Sequence, residues 1–557
     1  MNEQDDEERP ICVVLGEEMM LQAKDKVPRL DIMATAPACP QVASLYPSLH
    51  ASLDAELNAL YASTLFKLEA YERLGKAVEI PTESYDDFDP VGQDPRWGVF
   101  ASFHTYIEES FPLVHRSMQV TKINTYALVF HWQGSNPELK PLLIAAHQDV
   151  VPVDPTTVEQ WTHPPYSGHY DGTWIWGRGS ADDKADLVAQ LITAESLLKA
   201  GFTPRRTIVF AFGIDEEAAG TQGAGALAVY LEEKYGTDAF TMLIDEGEGH
   251  GSNAVAEPIF ALPGISEKGY LDVRMQVSAP GGHSSVPPDH TSIGLLSLLV
   301  VALEQNAHPA VLRREGTGFA NMQCRVQYDR KRYPEALREL ARRALTDDAA
   351  LEEFKHALIR FDKSFGVLLK TTQAVDLING GVKINALPEV AAAVVNHRIA
   401  EHSSVEDVQS HITALALPIA KEFNLSVNAF GTKFEFGTEG HVVLEDAFYS
   451  ALEPSPVSPI DPSGPYGVLS GTIKSTLESS ARYKASEVIV IPSLGLGNTD
   501  TRFYWNLTRH IFRYSHRGDL DDLYNGLHTV DEAVRGESII EQIRFFTKLI
   551  LNVDEML

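Results

Sequence analysis

Four apolar runs in this chain each end directly on a histidine or a carboxylate, and that coincidence constrains the fold more than any other feature. "PLLIAA" runs into His147 and Asp149, and "WIWGRGSA" into Asp182 and Asp183. "TIVFAFGI" runs into Asp215, Glu216 and Glu217, and "FTMLI" into Asp245 and Glu246. Short, almost wholly apolar runs read as strands buried on both faces. Between them, "DDKADLVAQLITAESLLKA" puts Leu187, Leu191, Ala194 and Leu198 on one helical face with Gly201 as its stop, and another helix is expected over about 223–235. Strand and helix in alternation imply the α/β class, a parallel or mixed sheet flanked by helices. Such sheets bind ligands beyond the carboxyl ends of their strands, so the four ends converge on one place.

Clustered carboxylates repel one another, and the cluster therefore needs a cation. Histidine and carboxylate ligands without thiolates suit catalytic zinc, with cobalt or manganese as substitutes. Each stretch alone has a plainer reading. His147 could be a satisfied histidine near a turn, Asp182 and Asp183 an N-cap pair, and the other acids solvated loop residues. Their joint occurrence at four strand ends is what favours a single site.

Composition narrows the partners. The 557 residues carry 46 Lys and Arg against 77 Asp and Glu, a net charge of −31, which repels nucleic acid and anionic membranes. Cys12, Cys39 and Cys324 lie far apart, forming neither a disulfide framework nor a cysteine zinc site, and fit a reducing compartment. The first residues are acidic where a signal peptide is basic, and no apolar run reaches the ~18 residues of a membrane span. A soluble, cytoplasmic protein is expected. Asn424-Leu-Ser and Asn506-Leu-Thr match the glycosylation acceptor pattern, a frequency that chance supplies.

The length requires more than one domain. Residues 1–52 have no sustained period and read as a poorly ordered arm. A helix follows over Leu53–Leu74, with Leu57, Leu60, Tyr61, Leu65 and Leu68 at helical spacing, and opens a first catalytic segment, 53–264. Beyond Gly264 the pattern changes: "YLDVRMQVSA" alternates like a half-exposed strand, "SIGLLSLLVVALEQ" is helical and "VAAAVVNHRIA" is a strand. Residues 265–435 read as an inserted α+β domain, with a charged helical stretch near 334–358 as an elaboration. Residues 436–557 return to the first domain through "SEVIVIPSLGL" and a final helix near Ile539–Leu551.

"AAHQDVVPV", "WGRGSADDK", "GIDEEAAGTQGA", "LIDEG", "APGGHSS" and "GLHTVDE" occur in the order found in the M20 metallopeptidases, the family of aminoacylases and glutamate carboxypeptidases. "GVKINALPEVAAAVVNHRIA" and "LGLGNTDTRFYW" resemble its carboxypeptidase S, or Gly-X carboxypeptidase, branch, which includes secreted N-acyl amino acid hydrolases. The resemblance runs from about residue 55 to the C-terminus. It implies a zinc-peptidase α/β domain with an inserted lid of the dimerisation type, and a homodimer through that lid. It also implies two zinc ions bridged by Asp182, one held by His147 and Asp245, the other by Glu217 and His528. Asp149 would orient the His147 ring, Glu216 would be the general base, and the peptide bond between Asp182 and Asp183 would be cis. His283 would help hold the oxyanion, in some relatives from the partner subunit. Asn385, Arg398 and Arg502 would lie near the substrate, one of the arginines gripping its carboxylate.

The activity this implies is release of a C-terminal amino acid from Gly-X-type short peptides or N-acyl amino acids. The alternatives are a relative that uses the same pocket to synthesise or exchange N-acyl amino acids, and a non-catalytic scaffold, which the full set of site residues disfavours. Yeast-like members of the branch carry a membrane anchor and are vacuolar; no such anchor is expected here.

Overall fold

The structure is a computed structural model and describes residues 39, 41–251, 258–483 and 486–557. Its largest sheet has eight strands in the order 119–123, 127–132, 208–213, 142–147, 242–245, 511–513, 264–267 and 493–495. Strands Ile208–Gly213, Leu142–His147, Met242–Asp245 and Ile511–Arg513 run parallel side by side, with His147 opposite Gly213 and Asp245 opposite Arg513. Their carboxyl ends therefore open on one edge. The α/β architecture expected from the strand–helix alternation is the one observed.

These strands are apolar throughout because helices cover both faces. Leu142, Ile144 and Phe210 pack against Leu187, Leu191 and Ile543 from helices Lys184–Lys199 and Gly536–Met556. Leu143, Val209 and Leu243 pack against Leu227 and Leu231 of helix Ala224–Tyr235. Each such side chain taken from water contributes about 1.5–3 kcal/mol, enough to hold the strand ends rigidly for chemistry.

A second, six-stranded sheet, built from strands between residues 269 and 446, has the order 372–380, 390–399, 269–278, 440–446, 425–429 and 432–435. Strand Gly269–Ser278 alternates buried and half-buried residues along its whole length, as its sequence pattern predicts for a sheet covered on one face. Leu295, Leu299 and Leu303 of one helix and Val408, Ile412 and Ala416 of another cover that face.

Two expectations are corrected. The helix expected over Leu53–Leu74 is two helices, Ala51–Tyr61 and Thr64–Val78, because the Ser63 side chain accepts from the Phe66 amide and caps the second. The break shifts the buried face, so Leu57, Tyr61, Tyr71 and Leu74 are buried whereas Leu60, Leu65 and Leu68 are exposed. Cys39 and Cys324, read from sequence as separate thiols, form a disulfide with their Cα atoms 5.1 Å apart across 285 residues of sequence. The pair also removes the reason for placing the chain in a reducing compartment. Cys12 lies outside the described residues.

The part of the expected arm that is described is tied down. The Leu45 amide donates to the Gly471 carbonyl, and the Ser48 and His50 amides donate to the Glu555 carboxylate. Among the described residues no helix is long and apolar enough to cross a membrane.

Candidate metal centre

Strand Leu142–His147 delivers a buried imidazole to the edge where the parallel strands end. Its Nε2 lies 3.3 Å from Asp182 Oδ1 and 3.5 Å from Glu246 Oε1. A second imidazole comes from a segment hundreds of residues away: His528 Nε2 lies 3.1 Å from Asp182 Oδ2 and 3.0 Å from Glu217 Oε1. Asp182 thus turns one carboxylate oxygen to each ring. Two sets of donor atoms, His147–Glu216–Glu246 and His147–Asp182–Glu217, each fit within 4.8 Å.

Local structure explains why these side chains point inward. Gly179 has φ +85°, and a Cβ there would stand 2.4 Å from Val150 Cγ1, so only glycine lets the chain turn this closely before Asp182. The peptide bond between Asp182 and Asp183 is cis, as the resemblance implies. Buried Glu532 accepts from the Gly179 and Ala181 amides at 3.0 and 3.1 Å and pairs with Arg178. One carboxylate therefore ties the segment that carries His528 to the turn that carries Asp182. His528 itself has φ +57°, a conformation uncommon outside glycine. Its loop is clamped by Asp531, which accepts from the Thr162 amide and hydroxyl.

Asp149 has two tasks. Its Oδ1 stands 3.2 Å from His147 Nδ1, leaving Nε2 for the cluster. The same carboxylate accepts from the amides of Glu216 and Glu217 at 3.2 and 3.1 Å and from the Ser84 hydroxyl at 2.6 Å. The loop bearing both glutamates is thereby fixed to the histidine's strand. Asp215 stays out of the cluster; its side chain accepts from Gln222 and Gly223 and folds the loop into the next helix.

Among the described residues no lysine or arginine forms an ion pair with Asp182, Glu216, Glu217 or Glu246, and histidines pair with Asp182, Glu217 and Glu246. Burial, and then the neighbouring Glu246 charge, push the Glu216 carboxyl well above its usual range. Burial and the Asp182 charge raise Glu246 to about 8. Hydrogen bonds to Asp182 and Glu217 raise His528 to about 10. Without a cation these groups must hold protons to coexist, the signature of a site built around positive charge. The donor set of two imidazoles and four carboxylates, with no thiolate, fits divalent ions of the zinc type.

Of the residues selected from sequence as metal ligands, His147, Asp182, Glu217 and His528 meet here, and the structure brings Glu246 among them. Asp245, selected from "LIDEG", has a buried carboxylate whose Oδ1 accepts from the Glu246 amide and whose Oδ2 has no hydrogen-bond partner among the described residues. The carboxylate facing His147 is that of Glu246. Asp245 is the last residue of strand Met242–Asp245 and Glu246 the first beyond it, so the way the chain leaves the strand end sets which of the two acids faces His147. No pattern in "LIDEG" says which one does.

His283 and Asn385 lie side by side at a short two-stranded pairing, where His283 pairs with Ala386 and the Ser284 amide donates to the Asn385 carbonyl. Both are exposed, and neither hydrogen-bonds to the cluster. Arg398 and Arg502 do meet, through a residue the sequence did not flag: Arg398 lies over the Tyr270 ring and Arg502 reaches its hydroxyl. Arg502 also donates to the Ala219 carbonyl, beside the loop that carries Glu216 and Glu217.

An α/β sheet whose parallel strand ends assemble imidazoles and carboxylates in this way defines a metal-dependent hydrolase. The family model described as peptidase family M20/M25/M40 matches residues 143–552. The chain belongs to that family and is an enzyme of the metallopeptidase type. It is 38% identical over 530 residues to carboxypeptidase S of Saccharomyces cerevisiae, covering 93% of this chain and 89% of the relative. It is 31% identical over 490 residues to the N-fatty-acyl-amino acid synthase/hydrolase PM20D1 of Mus musculus, covering 87% of each. Among solved structures, human carnosine dipeptidase 1 has the same fold, with a TM-score of 0.59 at 15% identity over 92% of this chain and 100% of that one. An M20 family metallo-carboxypeptidase of Sulfolobus solfataricus has a TM-score of 0.58 at 18% identity, over 87% and 99% of the two chains.

Proposed function

We propose that this enzyme is a two-zinc amide hydrolase that releases a C-terminal amino acid from Gly-X-type peptides or N-acyl amino acids. The observation that carries the reading is the division of the Asp182 carboxylate, one oxygen toward His147 and one toward His528. A single carboxylate between two imidazoles is the arrangement of a ligand shared by two ions. His147 and Glu246 would hold one ion, Glu217 and His528 the other, with Asp182 common to both. Bound zinc supplies acidified water and a polarised substrate carbonyl.

The chain's own residues supply the rest. Glu216, whose affinity for a proton burial raises, would as its carboxylate take a proton from the attacking water and pass it to the leaving amine. Asp149 holds the His147 tautomer and the glutamate loop together. Arg398 and Arg502, which meet at Tyr270 beside that loop, receive the substrate's free carboxylate.

Metal analysis and a substrate panel test this reading. About two zinc equivalents per chain are expected, with cobalt or manganese able to replace them. Hydrolysis is expected for Gly-X dipeptides or N-acyl amino acids and not for the same compounds amidated at the C-terminus. Equal cleavage of the amidated compounds would remove the carboxylate-gripping role, and a fully active metal-free enzyme would remove the mechanism. A synthetic role in the reverse direction has support from the name of the mouse relative; the panel run at high amine concentration detects it as net amide formation.

We further propose a homodimer through the edge of the six-stranded sheet. Leu377 and Ile378 on that edge strand are exposed, as are Val382, Ile384 and Val286 around His283 and Asn385, an apolar patch of the kind partners cover. In the dimer His283 would complete the partner's oxyanion site. Mixing inactive His283→Ala chains with inactive Glu216→Gln chains should restore part of the activity; no recovery, with sedimentation as a monomer, would exclude the shared site.

A further inference from the structure

Three imidazoles outside the metal centre gather on the helix-covered face of the six-stranded sheet. His397 comes from strand Val390–Ile399, His411 from helix Val405–Glu422 and His308 from the segment that follows helix Ser292–Gln305. The His308 ring lies 4.3 Å from the His411 ring and 6.1 Å from that of His397, centroid to centroid. The hydrolytic mechanism uses none of them.

Backbone contacts decide which of their nitrogens are free. Buried His397 donates from Nδ1 to the Leu271 and Val395 carbonyls at 3.2 and 3.1 Å. Carbonyls accept and never donate, so the proton sits on Nδ1 and Nε2 carries a lone pair, which has no hydrogen-bond partner among the described residues. His411 donates from Nε2 to the Asn306 carbonyl at 2.8 Å, which in the neutral ring leaves the lone pair on Nδ1. His308 Nε2 is likewise buried without a partner among the described residues. An imidazole held through one N–H by a backbone carbonyl, with its other nitrogen bare, is oriented as a metal ligand is. Burial, and then the two neighbouring imidazoles, push His308 down to about 4, and burial pushes His397 to about 4, so both are neutral at neutral pH, as ligation requires.

An oxygen completes the set. Gln373 stands directly opposite His397 in the strand register, and so on the same face. Its Nε2 donates to the Leu303 carbonyl at 2.6 Å, while its Oε1 is buried with no partner among the described residues. Zinc–nitrogen bonds of about 2.0–2.1 Å at tetrahedral angles put ligating ring centroids roughly 5 Å apart, a value that the observed 4.3 and 6.1 Å bracket. His308 is the ring that adjusts, since it lies in the irregular segment between helices Ser292–Gln305 and Thr317–Tyr328 whereas the other two are held by carbonyls.

We infer that His308, His397 and His411, with Gln373 Oε1, form a second zinc site, which ties the segment after helix Ser292–Gln305 to helix Val405–Glu422 and to the sheet. Asp407, one turn before His411, adds negative charge near His308, and Lys370 partly offsets it. Two of the three rings are half-exposed, so the ion exchanges with solvent and binds when zinc is supplied, in addition to what the first centre retains. The neighbouring residue on the His397 strand, Arg398, faces Tyr270 on the opposite side, so the ion braces the strand that carries it.

The test uses the purified full chain, dialysed to equilibrium against zinc alone at a series of buffered free concentrations. The unaltered chain should take up one equivalent beyond what it retains on purification. His308→Ala and His411→Ala, each replacing a half-exposed ring, should need about 100-fold or more free zinc to fill that site, while keeping the retained metal and hydrolysis. The reading is a difference between chains, so it holds whether the first centre carries one ion or two. In the unaltered chain, added zinc should also protect His308 and His411 from diethyl pyrocarbonate, as mapped by peptide mass spectrometry. Equal uptake by all three chains, or modification of both rings at the same rate with and without zinc, would overturn the inference.

Discussion

Glu216→Gln is expected to lower turnover about 10²- to 10⁴-fold while leaving metal content at the wild-type level. In barrier terms that is roughly 3–5 kcal/mol. The argument rests on what the side chain does and does not hold. Its backbone amide is fixed by Asp149, so the amide side chain of glutamine sits where the carboxylate sat. Of the donors that meet here, Asp182, Glu217, Glu246 and the two imidazoles are unchanged. What disappears is a group that can take a proton and give it back. Steady-state kinetics beside metal analysis separates the outcomes: normal turnover would remove Glu216 as the base, and loss of metal would make it a ligand instead.

The second large effect discriminates two adjacent acids. Glu246→Ala is expected to lose one of two metal equivalents and to lower kcat/KM by about 100-fold or more, whereas Asp245→Ala keeps both equivalents. Glu246 stands 3.5 Å from His147 Nε2, while among the described residues the Asp245 carboxylate accepts a hydrogen bond from the next residue's amide alone. The opposite pattern, metal lost with Asp245→Ala and kept with Glu246→Ala, would return the ligand role to Asp245. Burial raises the Asp245 carboxyl to about 6, so its removal also takes away a group that is costly to keep charged. Thermal melting of both variants distinguishes a folding effect from a ligand effect.

Much of the site was legible because its parts are local. Each strand–acid junction is written in a short stretch, and four such junctions in parallel strands share one edge by the geometry of the sheet. The helix pair at 51–78 was less legible, since a serine cap breaks a periodic pattern without interrupting its hydrophobicity. Tyr270 left no trace, because a tyrosine alternating along a half-buried strand looks the same whether or not two arginines meet on it.

The sequence by itself determined the α/β class, the family, and the set of imidazoles and carboxylates available for chemistry, all of which follow from periodicity and motif order. Tertiary structure alone decided that Glu246 rather than its neighbour faces His147, that Asp182 divides its oxygens between two rings, and that cysteines 285 residues apart are bonded. The reason is physical. Periodicity fixes which face a side chain takes within one element, whereas the partner it meets there is set by how elements distant in the chain pack, and no local pattern encodes that distance.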